Sequence, residues 1–129
     1  MKKILIVEDH PGMREALRLQ IQSWGFAAIT ARNGKEGVET ALKEKADLIM
    51  IDLMMPEMDG LQMTEILRSN PETKEVPIIA VTAAFRRQDR QNCMGVGCND
   101  YIVKPFKLQE LHKKIDALVQ QGRINTTHD

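Results

Sequence analysis

No run of apolar residues in this sequence approaches the roughly 20 that a bilayer-spanning helix needs. The N-terminus, Met1-Lys2-Lys3 followed by Ile4-Leu5-Ile6-Val7 and then Glu8-Asp9, has too short an apolar stretch for a signal peptide. Cysteine is scarce: Cys93 and Cys98 fit no CxxC spacing and no histidine pair accompanies them, which argues against a zinc site or a disulfide framework. They read as reduced thiols of a cytoplasmic protein. Net charge is absent, with 18 basic and 18 acidic residues, so no basic excess marks a nucleic-acid binder. Neither GxxxxGK[ST] nor a GxGxxG after the first strand is present, which removes the common phosphate-cradling loops. What remains is 129 residues, 43% hydrophobic and 28% charged, the size and mixture of one ordered globular domain. The neutral total conceals an uneven distribution: residues 1–85 hold 10 basic and 13 acidic groups, residues 86–129 hold 8 and 5.

Five short apolar runs stand out: Ile4–Val7, Ala27–Thr30, Leu48–Ile51, Ile78–Val81 and Tyr101–Val103. Each is continuous rather than alternating, as parallel strands covered on both faces require. Amphipathic segments separate them. Met13, Ala16, Leu17, Gln20, Ile21 and Trp24 form one helical stripe, stopped by Gly25. Val38, Ala41 and Leu42 line a second. Asp59-Gly60 opens a third, with Leu61, Ile66 and Leu67 expected inward and an end near Asn70-Pro71. The fourth, Arg87–Met94, is weakly patterned, and the fifth carries Leu108, Leu111, Ile115, Leu118 and Val119 with an expected end at Gly122. Strand–helix alternation of this kind predicts an α/β fold with a parallel sheet, a domain over residues 1–121 and a polar tail over 122–129.

Right-handed crossovers gather the loops after the strands on one edge of the sheet, where open α/β folds place their ligands. Glu8-Asp9, Asp52, Thr82 and Lys104-Pro105 therefore meet there. Each like-charge pair at ~4 Å costs about 1–4 kcal/mol, so three carboxylates need a bridging hard cation or a retained proton. Oxygen-only ligation by few side chains suits Mg²⁺. An isolated Asp at a strand end is usually a helix cap, and Asp9 before His10-Pro11 fits that role too. It is the convergence of three acids with a hydroxyl and an ammonium that favours chemistry. His10 reads as a loop histidine rather than a ligand, and Met50, Met54, Met55, Met58 and Met63 as flexible core and loop filler.

Taken together, Ile4-Leu5-Ile6-Val7-Glu8-Asp9, Asp52 through Gly60, Val81-Thr82-Ala83-Ala84 and Gly97 through Phe106 resemble the receiver domain of two-component response regulators over about residues 1–121. The resemblance implies a flavodoxin-like, doubly wound, five-stranded parallel sheet of order 2-1-3-4-5 flanked by five helices. It further implies that Asp52 accepts a phosphoryl group from a phosphohistidine, that Asp9, Asp52 and the Met54 carbonyl ligate Mg²⁺ or Mn²⁺, and that Glu8 acts through metal-bound water. Lys104 would pair with Asp52 and the phosphoryl group, Thr82 would bond another phosphoryl oxygen, and Tyr101 would turn inward behind Thr82. A cis Lys104–Pro105 peptide would aim the lysine. Phosphorylation would then alter the face built by the fourth helix, fifth strand and fifth helix. The implied partners are a sensor histidine kinase or phosphotransfer protein and a phosphorylation-dependent effector, with no direct nucleic-acid binding and no membrane insertion.

Three readings compete. A stand-alone receiver is favoured over one excised from a larger regulator, because the chain carries neither helix-turn-helix nor basic region. A Mg²⁺-dependent phosphatase using Asp52 is disfavoured: the dehalogenase-type second Asp two residues on is Met54. The expected role is a phosphoacceptor module that catalyses only its own phosphorylation and dephosphorylation, not an enzyme acting on other substrates.

Overall fold

The computed structural model describes residues 1–55, 58–82 and 87–128, the side chains of 87–90 and 121–128 excepted. Strands and helices alternate along the chain: β1 (Lys3–Val7), α1 (Pro11–Ser23), β2 (Ala27–Ala31), α2 (Gly34–Glu44), β3 (Leu48–Asp52), α3 (Gly60–Ser69), β4 (Ile78–Thr82), α4 (Arg87–Gly95), β5 (Asp100–Val103) and α5 (Leu108–His128). The strands pair in parallel in the order β2-β1-β3-β4-β5.

The unbroken apolar runs now have a cause. Successive side chains of a strand point to opposite faces, and both faces of this sheet are covered. Leu5, Val7, Ile49, Ile51, Ile78 and Ala80 face one layer, with Ala41 of α2, Met63 and Leu67 of α3 and Cys93 of α4. Ile4, Ile6, Leu48, Met50, Ile79, Val81 and Ile102 face the other, with Leu17 and Ile21 of α1 and Leu111, Ile115, Leu118 and Val119 of α5. Each large aliphatic chain buried this way contributes about 1.5–3 kcal/mol. The alternating assignment also fixes register, because a one-residue slip would exchange the two layers.

Local chemistry sets the helix starts. Asn33 caps α2 by accepting the Glu36 N–H at 2.8 Å. Asp59 and Gln62 form a reciprocal capping box at α3. His10 caps α1, its Nδ1 accepting the Met13 N–H at 3.1 Å. Trp24 follows α1 and stacks on His112 of α5 with ring centroids 4.1 Å apart, and Gly25 takes the left-handed turn at φ 91°.

Two sequence expectations need correction. The inward line of α3 is Gly60, Met63, Thr64 and Leu67, which leaves Ile66 41% exposed. The buried stripe follows i, i+3, i+4, i+7 from Gly60 and accepts Thr64 because its hydroxyl bonds the Gly60 carbonyl at 2.8 Å. The fifth helix passes through Gly122 and continues to His128. A helix-interior glycine costs only about 1 kcal/mol, and no proline follows to force a stop.

At the amino edge of the sheet, Arg68 of α3 gathers several acceptors. Its Nε donates to the Gly97 carbonyl at 2.9 Å, and Nη1 to the carbonyls of Val76 at 2.8 Å, Lys74 at 3.0 Å and Thr73 at 3.3 Å. Its Nη2 donates to Asn99 Oδ1 at 2.7 Å, which also accepts the Ile78 N–H. Among the described residues no helix is long and apolar enough to cross a membrane.

Candidate functional site

The parallel ladder aligns Val7 with Ile51, Asp52 with Val81 and Thr82 with Val103. The strands therefore end side by side, and the residues that terminate or follow them meet. Asp52 is the last residue of β3, Thr82 the last of β4, Glu8 and Asp9 follow β1, and Lys104 follows β5.

Glu8, Asp52 and Thr82 are buried. Lys104 Nζ lies 3.1 Å from Glu8 Oε1 and 3.1 Å from Asp52 Oδ2, so one ammonium serves two carboxylates. The other oxygens meet backbone donors: the Met54 N–H reaches Asp52 Oδ1 at 2.9 Å and the His10 N–H reaches Glu8 Oε2 at 3.2 Å. Burial, reinforced by Asp52, pushes the Glu8 carboxyl above the ordinary range, although His10 and Lys104 oppose it. Burial alone would lower the Lys104 ammonium, but the two carboxylates overcome it and hold its pKa above that of a free lysine.

Asp9 is exposed. It does not cap α1, a role taken by His10. One carboxylate oxygen each from Glu8, Asp9 and Asp52 lie within 4.8 Å of one another. Among the described residues, three carboxylates facing one ammonium leave an excess of hard oxygen donors, which fits Mg²⁺ or Mn²⁺. The Met54 side chain is 72% exposed, while its backbone forms part of the loop directly after Asp52.

Lys104–Pro105 is a cis peptide, and the Lys104 N–H donates to the Thr82 carbonyl at 2.7 Å, tying the β5 exit to the end of β4. Tyr101 is half-buried against the layer of α2, α3 and α4, with Lys114 Nζ 5.9 Å from its ring centroid. Lys114 in turn pairs with Asp100 at 3.1 Å. Pro56, Glu57, Ala83 and Ala84, which belong to the sequence motifs, lie outside the described residues.

Sequence reasoning missed Arg14. From the second turn of α1 it donates to the Glu8 carbonyl at 3.0 Å and reaches the Asp9 carbonyl at 3.5 Å, fastening the acidic loop to the helix. Its six-residue separation from Glu8 corresponds to no recognised motif. The Met54 N–H was equally invisible, since any residue but proline offers that donor.

Residues 4–116 match the response regulator receiver domain family. The chain belongs to that family. The response regulator ArlR of Staphylococcus saprophyticus is 37% identical over 94% of this chain and 54% of its own length. The chain spans about half the length, or less, of the curated relatives it matches. Among solved structures, the chemotaxis protein CheY4 of Vibrio cholerae superposes with a TM-score of 0.87 at 30% identity, covering 92% of this chain and 98% of that one. The receiver domain of a Pseudomonas aeruginosa sensor histidine kinase, solved with a magnesium ion coordinated in its active-site cleft, gives 0.86 at 34% identity, covering 92% and 98%. The receiver domain is a signalling module of two-component systems, here with the flavodoxin-like fold of its relatives.

Proposed function

We propose that Asp52 is the phosphoacceptor, taking a phosphoryl group from the phosphohistidine of a sensor histidine kinase or phosphotransfer protein. The observation that carries this reading is the setting of Asp52: a buried carboxylate held between the Met54 N–H and Lys104, beside two further acids. A carboxylate oxygen attacks phosphorus, the phosphorus–nitrogen bond of the donor breaks, and the departing imidazole nitrogen takes up a proton. Such transfers demand positioning and charge compensation more than covalent assistance.

Asp9, Asp52 and the Met54 carbonyl would hold the divalent cation, Mg²⁺ or Mn²⁺, with Glu8 acting through its water. When bound, that ion offsets negative charge on the transferring oxygens. The remaining work belongs to side chains of this chain. Lys104, already in contact with Asp52, pairs with a phosphoryl oxygen. Thr82, at the end of the neighbouring strand, bonds another. These contacts exist only in the phosphorylated state and so shift the population of an active arrangement. Tyr101 follows, and the face of α4, β5 and α5 presents a changed surface to an effector. The self-catalysed loss of the phosphoryl group uses the same residues. The reading takes residues 1–121 as the receiver, places the protein in the cytoplasm, and includes neither direct nucleic-acid contact by this domain nor membrane insertion.

The test is incubation with acetyl phosphate and Mg²⁺ followed by intact-mass measurement. One phosphoryl group should be added to the wild type and none to Asp52→Asn. Equal modification of the variant would overturn the assignment.

A further inference from the structure

The end of α4 brings the two cysteines together. The Gly97 N–H donates to the Met94 carbonyl and the Cys98 N–H to the Cys93 carbonyl, both at 3.2 Å, with Gly97 left-handed at φ 109°. That pattern is a Schellman cap, in which the residue after the left-handed glycine folds back onto the residue five positions earlier, usually as an apolar contact. Here both members of that contact are thiols. Cys93 and Cys98 are free, 1% and 5% exposed, and share a single apolar cluster.

We propose that Cys93 and Cys98 are a redox-active dithiol, convertible by a small peroxide into an intramolecular disulfide that clamps the end of α4 to the start of β5. The Cys98 sulfur attacks one peroxide oxygen, giving a sulfenic acid and one water or alcohol. The Cys93 sulfur then attacks Cys98, the sulfur–sulfur bond forms, and a second water leaves with the two thiol protons accounted for. The peroxide is reduced by two electrons and the two thiols are oxidised by two.

The surroundings distinguish the two sulfurs. The neighbouring Cys93 thiol favours the Cys98 thiolate, burial opposes it and the Arg68 guanidinium assists, while Cys98 and burial push the Cys93 thiol up. Thr64 Oγ1 lies 3.9 Å from Cys98 Sγ, but its own proton is committed to the Gly60 carbonyl. Arg68 Nε donates to the Gly97 carbonyl at 2.9 Å, which sets the guanidinium beside Cys98, so Cys98 is assigned as the attacking sulfur and Cys93 as the resolving one. Burial ordinarily makes a thiol inert, so reaction requires the end of α4 to open. Among the α4 side chains described, only Cys93 is buried, while Gln91, Asn92 and Met94 are exposed, so local opening costs far less than global unfolding.

The experiment treats the native, reduced protein with hydrogen peroxide, quenches free thiols with an alkylating agent and maps peptides by mass spectrometry. Expected are a Cys93–Cys98 disulfide within one chain, reversal by dithiothreitol, and amide exchange in α4 slowed on the order of tenfold in the oxidised form. Cys93→Ser should leave a dimedone-trappable sulfenic acid on Cys98, whereas Cys98→Ser should trap little at Cys93. Two free thiols after prolonged native treatment, or a disulfide appearing only in denaturant or only between chains, would overturn the proposal. The wild-type map decides it even if either variant folds poorly.

Discussion

Replacing Lys104 by Met removes the one ammonium that two buried carboxylates share and keeps most of the apolar stem. At 3.1 Å and an effective dielectric of about 20, each contact amounts to about 5 kcal/mol of gross attraction, most of it offset by desolvation. Removing one partner of a buried pair typically costs about 3–5 kcal/mol. Two features reduce that figure. The Lys104 side chain keeps 24% exposure, so solvent already screens it. Glu8 sits above the ordinary carboxyl range and takes up a proton more readily once the ammonium is gone. The expected loss at pH 7.5 in EDTA is about 2–4 kcal/mol, a fall in melting temperature of about 10 °C for a chain of this size. The assay is urea unfolding of four proteins: wild type, Lys104→Met, Asp52→Asn and the double variant. In the Asp52→Asn background the lysine faces a single carboxylate, so its removal should cost about half as much. The penalty should also shrink as pH falls and Glu8 becomes protonated. A Lys104→Met protein as stable as wild type, or a penalty identical in both backgrounds, would show that the ammonium does not hold the two acids together.

Three further outcomes are expected. The raised Glu8 pKa means the folded protein binds this proton more tightly than the unfolded chain, so its stabilising contribution is full at low pH and disappears as pH rises from the ordinary glutamate range through the elevated folded value; urea melts across that window should slope in wild type and lose this component in Glu8→Gln. Gly97→Ala forces a side chain into a left-handed position and places a Cβ 2.9 Å from Arg68 Cγ, so it should lose about 2 kcal/mol or more in the same melts, against a near-neutral Gly95→Ala, whose Cβ meets open space. On the proposed cation assignment, Asp9→Asn should weaken Mg²⁺ binding at least tenfold by calorimetry, and unchanged affinity would remove Asp9 from the ligand set.

Much of the fold was legible because a two-sided sheet writes itself into sequence as unbroken apolar runs, and Ile4–Val7, Leu48–Ile51 and Ile78–Val81 read that way. The acidic cluster was legible for a related reason: a parallel sheet sends every strand's carboxyl end to one edge, so Glu8, Asp9 and Asp52 had to converge. Helix faces and ends were less readable. Thr64 is an inward residue whose polarity is cancelled by a bond to its own helix, so Ile66 was mistaken for part of that face. Gly122 looked like a stop because glycine is a common C-cap, yet a cap needs the left-handed turn as well as the residue. The thiol pair was hidden because sequence patterns weigh i, i+3 and i, i+4 neighbours, whereas a Schellman cap unites i and i+5. Backbone donors such as the Met54 N–H carry no residue signature at all.

Arg68 gives the domain two unlike ends. Burial lowers the pKa of its guanidinium, which ties the α3–β4 loop, the cap of α4 and the entry to β5 to one helix. The opposite edge is held by three carboxylates and an ammonium, a balance that any added cation or anion resets. A charge change at that edge therefore meets a body anchored at its far end. On the proposed switch, the Arg68 contacts would hold the α4 cap and the β5 entry fixed to α3, so any shift of β5 would be smallest at Asp100 and largest at Val103, where the strand ends beside the acidic site. Replacing Arg68 would release the α3–β4 loop, the α4 cap and the β5 entry from α3 at once, because one guanidinium bonds all three.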